Sequence, residues 1–275
     1  MVITVLHHAD ADGFGAAYAV FKGIVVANVQ AEVCLIPVQY DQPVPEIPEG
    51  TERLAIVDFS YDTETLIALA EKYLLTVVDH HKTAKAGLLE FAERVGDRAT
   101  VAFSDFKSGA VLAWETFMEG YPVPPILEYV QDRDLWRFAL PDSEVVNLCI
   151  AALPWDLEVW DSFDLSLAKV AGEGIKSFQE KQIEGALRMA RLVAFLGYEV
   201  PVANCSANIS EVGQALLRAY PDAPFSVTYC DRADGVRTFS LRSRGDFDVS
   251  DLCRARGGGG HKAAAGFSQL YCEVS

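Results

Sequence analysis

The stretch Leu74-Leu75-Thr76-Val77-Val78-Asp79-His80-His81 decides how the rest of the chain is read. Leu74 to Val78 is a run of aliphatic and β-branched residues that reads as a buried strand. Asp79, His80 and His81 follow it directly, three side chains able to bind metal. In α/β proteins the chemistry collects outside the carboxyl ends of such strands. A solvated turn with an Asp helix cap would also fit these three residues alone, so the reading depends on what other strand ends supply.

They supply acids and a histidine. Val2 to Leu6 reads as a buried strand, followed by His7, His8, Asp10, Asp12 and Gly13, and then by an alanine-rich helical stretch from Phe14 to Phe21. In extended chain, residues two apart point the same way, so His8, Asp10 and Asp12 can converge on one side. One Asp suffices for a helix cap. Arg53 to Val57 is another apolar strand and ends at Asp58. Glu32 to Pro37 reads as a strand, Gln39 to Thr51 as a proline-rich loop, and Thr63 to Tyr73 as a helix. This alternation of β and α implies a parallel sheet with right-handed crossovers. His8, Asp10, Asp12, Asp58, Asp79 and His80 then fall along one edge.

Ala99 to Phe103 is a further strand candidate. Ser108-Gly109-Ala110 opens a helix whose free N–H groups can hold an anion, although capping by Ser108 also explains the start. A helix from Pro124 leads into Gln131-Asp132-Arg133-Asp134-Leu135-Trp136, another carboxylate pair, in which Asp132 is favoured as the metal ligand and Asp134 is the alternative. Ser143 to Ala152 and Leu157 to Phe163 read as helices, and Leu165 to Leu196 as a long connector helix. Beyond it, Tyr198 to Asn204, Phe225 to Cys230 and Arg237 to Arg242 read as strands. The last two flank an Asp-Gly hairpin signal. Gly257-Gly258-Gly259-Gly260-His261 reads as a loop whose backbone N–H groups can approach an anion, with Arg242, Arg244, Arg254, Arg256 and Lys262 near in sequence.

Composition bounds the partners. The chain has 275 residues, 39 acidic against 23 basic side chains and a formal net charge of −16. Such a surface repels long duplex nucleic acid. Small anionic substrates remain compatible if metals and a few arginines neutralise them locally. A hydrophobic content of 51% is enough for a filled core. The six cysteines are scattered without a C-x-x-C pair, which reads as reduced thiols of a cytoplasmic protein. No signal peptide or membrane-spanning stretch is expected.

Carboxylates and imidazoles are ligands of manganese, magnesium or zinc hydrolases, and the lack of cysteine argues against a structural zinc site. The ligand candidates His8, Asp10, Asp12, Asp58, His80 and Asp132 outnumber the needs of one ion. Two ions about 3.5–4 Å apart, sharing one carboxylate, would use them all.

Taken together, H-A-D-A-D-G (His8 to Gly13), V-D-F-S (Val57 to Ser60), V-D-H-H-K-T-A (Val78 to Ala84), Q-D-R-D-L-W (Gln131 to Trp136) and the G-G-G-G-H segment resemble the DHH phosphoesterase superfamily, which includes RecJ-like exonucleases and nanoRNase or pAp-phosphatase-like enzymes. The resemblance implies an α/β fold in three parts. Residues 1–164 would form a parallel-sheet catalytic domain with helices on both faces, residues 165–196 a connector helix, and residues 197–275 a smaller mixed α/β substrate-binding domain, with the active site in the cleft between domains. It implies two divalent ions, manganese first and magnesium or cobalt as alternatives. His8, Asp10 and Asp58 would hold one ion, and Asp12, Asp58, His80 and Asp132 the other, with Asp58 bridging. His81 would contact the phosphate, Asp79 would support a histidine, and Arg242, Ser243, Gly258, Gly259, Gly260 and His261 would bind substrate. The expected function is hydrolysis of small nucleotide phosphoesters (short oligonucleotides, linear dinucleotides or pAp) by metal-activated water. Cyclic-dinucleotide hydrolysis, exopolyphosphatase-like activity and a non-catalytic nucleotide sensor stand as alternatives.

Overall fold

The apolar run Val2–His8 forms strand β1, and every strand of the first sheet is likewise a short aliphatic run between polar ends. The computed structural model describes residues 1–39 and 42–271. Tyr40 and Asp41 of the expected loop, and Cys272, lie outside the described residues. The elements of the first part are β1, α1 (Ala11–Val26), β2 (Glu32–Val38), β3 (Thr51–Val57), α2 (Thr63–Ala70), β4 (Leu74–Asp79), α3 (Lys85–Val95), β5 (Ala99–Phe103), α4 (Gly109–Phe117), α5 (Pro125–Asp134), α6 (Ser143–Ala152) and α7 (Leu157–Asp161). The chain continues with α8 (Leu165–Arg188), β6 (Arg191–Phe195), β7 (Tyr198–Asn204), α9 (Ile209–Ala219), β8 (Phe225–Asp231), β9 (Val236–Ser243), α10 (Val249–Arg254), β10 (Gly259–His261) and β11 (Ala264–Leu270). No helix among the described residues is long and apolar enough to cross a membrane.

Two units divide the chain, residues 1–175 and 176–275. The first is built on a five-stranded parallel sheet in the order β2-β1-β3-β4-β5. Alternation along the strands splits its core in two. Val5, Ala55, Val57 and Val78 face one side and pack with α1, α4, α5 and α6. Leu6, Leu54, Ile56, Leu75 and Val77 face the other and pack with α2 and α3. The expected parallel sheet with helices on both faces is therefore present. The strand order reverses between β1 and β3, a switch point where doubly wound sheets open a crevice at their carboxyl ends. His8 and Asp79 end the central strands β1 and β4, and Asp58 follows β3 directly.

The second unit carries a six-stranded mixed sheet in the order β10-β11-β9-β8-β7-β6, in which β7 and β8 are the parallel pair. Phe225, Val227, Leu241 and Phe267 fill its core. The expected Asp-Gly hairpin joins β8 to β9. One expectation is corrected here. The long helix stops at Arg188 instead of running to Leu196, and Arg191–Phe195 is a strand paired antiparallel with β7. The turn between them, Leu196-Gly197, has positive φ at both residues (53° and 87°). That is the backbone handedness of a tight hairpin, which the apolar pattern alone does not distinguish from helix.

Candidate metal centre

The β1–α1 corner places the first acids. Asp10 caps α1, its Oδ1 accepting from the Gly13 amide at 2.9 Å, while its Oδ2 lies 2.7 Å from His8 Nδ1. The corner closes tightly, since a β-carbon on Gly13 would stand 2.1 Å from the His8 carbonyl oxygen. Asp12 points inward and is buried. Its carboxylate accepts from the backbone N–H groups of Gly109 at 2.6 Å and Ala110 at 3.0 Å, the first residues of α4. The Ser-Gly-Ala helix start thus does both things its sequence allowed. Ser108 caps the helix, and the amides after it hold an anion, which is the protein's own Asp12.

Asp58 sits one residue past β3 and is 1% exposed. Its φ of 64° is left-handed, sparsely populated by residues other than glycine and Asn or Asp. Its amide donates to the Val78 carbonyl at 2.8 Å, so the sheet ladder holds this conformation. From there Asp58 Oδ1 lies 3.1 Å from His80 Nε2, and Oδ2 lies 3.8 Å from His8 Nδ1.

Asp79 does different work from its neighbours. It is fully buried and accepts through Oδ1 from the His80 amide (2.7 Å) and the His81 amide (3.0 Å), with His81 Nδ1 at 2.8 Å. Ser60 donates to its Oδ2 at 2.8 Å. Asp79 therefore fixes the turn and the His81 ring, leaving His80 to face Asp58. The role of Ser60 had no distinct sequence signal beyond its place after Asp58.

At the end of α5 the structure departs from the expectation. Asp132 is buried, and its two oxygens accept from the amides of Ala139 (2.9 Å) and Leu140 (3.1 Å). It ties down the following loop and does not join the cluster. Asp134 does, with Oδ2 at 3.7 Å from His80 Nε2. The structure thus brings together His8, Asp10, Asp12, Asp58, His80 and Asp134. Three overlapping triads of these and His81 have ligand atoms within 4.8 Å of one another: His8, Asp10 and Asp58; Asp58, His80 and His81; Asp12, His80 and Asp134.

Two acids of the cluster, Asp58 and Asp134, hold their protons more tightly than a free carboxyl, while Asp10, against its partial burial, is kept below the usual range by the His8 hydrogen bond and the Gly13 amide. Burial, reinforced by Asp12 and Asp10, pushes the Asp58 carboxyl well above the usual carboxylate range. Asp134 is pushed up to about 7 by burial and by the same two acids. Burial also holds the His80 imidazole below its ordinary value. His81 goes the other way: burial opposes its protonation, but the hydrogen bond to Asp79 and that residue's charge outweigh it. Asp58 Oδ1 and His80 Nε2 are both buried without a hydrogen-bond partner. An orphaned acceptor facing an orphaned imidazole nitrogen, within a ring of carboxylates, is the donor set a hard or borderline divalent cation satisfies. The residues fit such an ion.

In the second unit, Arg242 lies on β9, with Nη1 and Nη2 donating to the Leu241 carbonyl and Ser210 Oγ at 2.9 and 2.7 Å. Ser243 is buried and its hydroxyl is spent on the Phe247 carbonyl at 2.7 Å, so this expected substrate-binding hydroxyl serves the fold. The glycine run is also corrected. Gly259, Gly260 and His261 form an edge strand on β11, not a loop. A β-carbon on Gly258 would stand 2.1 Å from the Gly266 carbonyl oxygen, and one on Gly260 2.6 Å from that of Ala264. Two of the four glycines thus have a packing reason. Gly259 and His261 are exposed, and Gly258 is half-buried.

No family model matches the chain. Among curated proteins it is similar to the uncharacterized protein R106 of Acanthamoeba polyphaga mimivirus, 26% identical over 296 residues, covering 97% of this chain and 67% of the viral protein. Among the solved structures it resembles, three that each cover 98% of this chain are informative. The pGpG-specific phosphodiesterase PggH of Vibrio cholerae matches over 94% of its length with 14% identity and a TM-score of 0.59. The DHH domain of a member of a ribosomal-protein family matches over 82%, with 16% identity and 0.56. RecJ of Thermus thermophilus in complex with Mn²⁺ matches over 49%, with 15% identity and 0.54. The chain therefore shares its fold with these three structures, a DHH domain among them.

Proposed function

We propose that this chain is a divalent-metal-dependent phosphoesterase acting on small nucleotide substrates, with linear dinucleotides, short oligonucleotides and pAp as the class to test. The observation that carries the reading is the orphaned pair Asp58 Oδ1 and His80 Nε2, 3.1 Å apart at the carboxyl edge of the sheet. His8, Asp10 and Asp58 would hold one ion. Asp12, Asp58, His80 and Asp134 would hold a second, with Asp134 replacing Asp132. Two ions there would activate water and neutralise charge on the phosphate oxygens. Manganese comes first, in line with the Mn²⁺ of the RecJ complex.

The chain's own groups do the rest. Asp79 holds Nδ1 of His81 and favours the protonated ring, whose Nε2–H can donate to a phosphate oxygen. The Gly109 and Ala110 amides keep Asp12 in place. Arg242, whose Nη1 and Nη2 donate to the Leu241 carbonyl and Ser210 Oγ, is the second unit's candidate substrate-binding side chain. The fold likeness to a pGpG-specific enzyme supports the linear-dinucleotide class. The test is a hydrolysis panel with Mn²⁺ covering pAp, linear and cyclic dinucleotides, oligonucleotides of rising length and polyphosphate. Linear dinucleotides or pAp should lead; preference for polyphosphate, or inertness toward every phosphoester, would overturn the reading.

A further inference from the structure

The loop after Asp134 has a shape that metal binding does not explain. Trp136 and Phe138 both have left-handed backbones, with φ of 54° and 47°. Bulky residues rarely adopt this conformation, and it persists where surrounding contacts enforce it. Here the contacts are explicit. The amides of Arg137 and Phe138 both donate to the Asp132 carbonyl, at 2.8 and 3.3 Å, while the Asp132 carboxylate takes the next two amides. The result is that Trp136 stands 73% exposed, with the Phe138 ring against it in a T-shaped contact at 4.9 Å.

A second loop is tied to this one. Arg137 Nη2 donates to the Phe106 carbonyl at 2.6 Å, and the Phe106 ring is 78% exposed. Each loop runs into the acid cluster. Two residues before Trp136 stands Asp134, beside His80. Three residues after Phe106 begins α4, whose first amides hold Asp12. Exposed aromatic rings on two loops, each anchored within a few residues of the cluster, are poor packing but good stacking surface. Every nucleobase has a π-face that such a ring can take.

Resting on the phosphoesterase reading above, we propose that Trp136, braced by Phe138, is the base-stacking residue of the substrate site. It would seat the nucleobase next to the phosphoester held at the Asp12, His80 and Asp134 side of the cluster, and so select nucleoside-bearing esters over base-free ones.

The experiment compares wild type, Trp136→Ala and Trp136→Phe on a linear dinucleotide and on its abasic counterpart with Mn²⁺. Trp136→Ala should lose about tenfold more kcat/KM on the base-bearing substrate than on the abasic one, mainly through KM, and Trp136→Phe should recover most of it. Equal losses on the two substrates would overturn the proposal. A second measurement does not need turnover. Titrating the protein with a nucleoside monophosphate should quench tryptophan fluorescence, ribose 5-phosphate should not, and Trp136→Phe should remove the difference. If wild type hydrolyses no phosphoester, the enzyme reading fails while this titration still decides stacking; no base-dependent quench would overturn it.

Discussion

Gly109 lies against Asp58 so closely that a β-carbon there would stand 2.4 Å from the carboxylate Oδ1. The same residue's amide holds Asp12 from the other side. One glycine thus sets the position of two of the cluster's acids. Gly109→Ala should fold but displace both, and a misplacement of about 1 Å at such a site can cost on the order of a hundredfold in rate. Calorimetric Mn²⁺ titration and kcat/KM should fall together. Wild-type values for both would mean that the carboxylates need no such fit.

Asp58→Asn keeps the size and the tolerance for left-handed backbone that this position demands. It removes the carboxylate that both triads around His8 and His80 share. Activity should drop by more than the roughly 10–100-fold typical of losing a supporting partner of a metal ligand. Thermal stability of the metal-free protein should hold or rise, because a buried acid crowded by Asp12 and Asp10 has gone. Near-normal turnover would rule out a bridging role.

Asp132 and Asp134 separate cleanly by experiment. Asp132→Ala leaves the Ala139 and Leu140 amides without their acceptor and should cost about 2–3 kcal/mol in chemical denaturation. Asp134→Ala should cost little stability yet weaken Mn²⁺ binding. The reverse pattern would return Asp132 to the ligand set.

The pH dependence of the metal-free protein has a definite sign. Asp134 titrates near 3.8 when unfolded and at about 7 in the fold, so between those values the folded state holds a proton the unfolded state has lost. Stability falls as pH rises through that window and levels off above it. The buried Asp58 adds to the same trend. Melting temperature in chelator should therefore decline from pH 5 to pH 7.5. Saturating Mn²⁺ should offset the decline, since ligand at a hundred times Kd adds about 2.7 kcal/mol. A flat profile in chelator would show that these acids share no strain.

Arg242→Ala tests the second unit. A dinucleotide should lose about tenfold in KM if one charge-assisted phosphate contact goes. Bis(p-nitrophenyl) phosphate, with no second phosphate, should lose less. Equal loss would overturn a role for Arg242 in binding that phosphate.

Much of this was legible in the amino-acid order, for a local reason. A parallel strand buried on both faces is a continuous aliphatic run, so β1, β3 and β4 announce themselves, and the residues just past them must lie at the carboxyl edge. That is why His8, Asp10, Asp12, Asp58 and His80 stand out in the sequence alone. What needed the tertiary structure is what depends on direction and distance in space. Asp132 and Asp134 are two apart on a helix and so point to nearly opposite sides; only the packing of α5 against α1 and α4 says which side meets His80. The amides that hold Asp12 come from 97 and 98 residues further on, beyond the reach of any local pattern. The strand Arg191–Phe195 was hidden for the same reason, since a short apolar run suits helix and strand alike until a partner strand takes its hydrogen bonds.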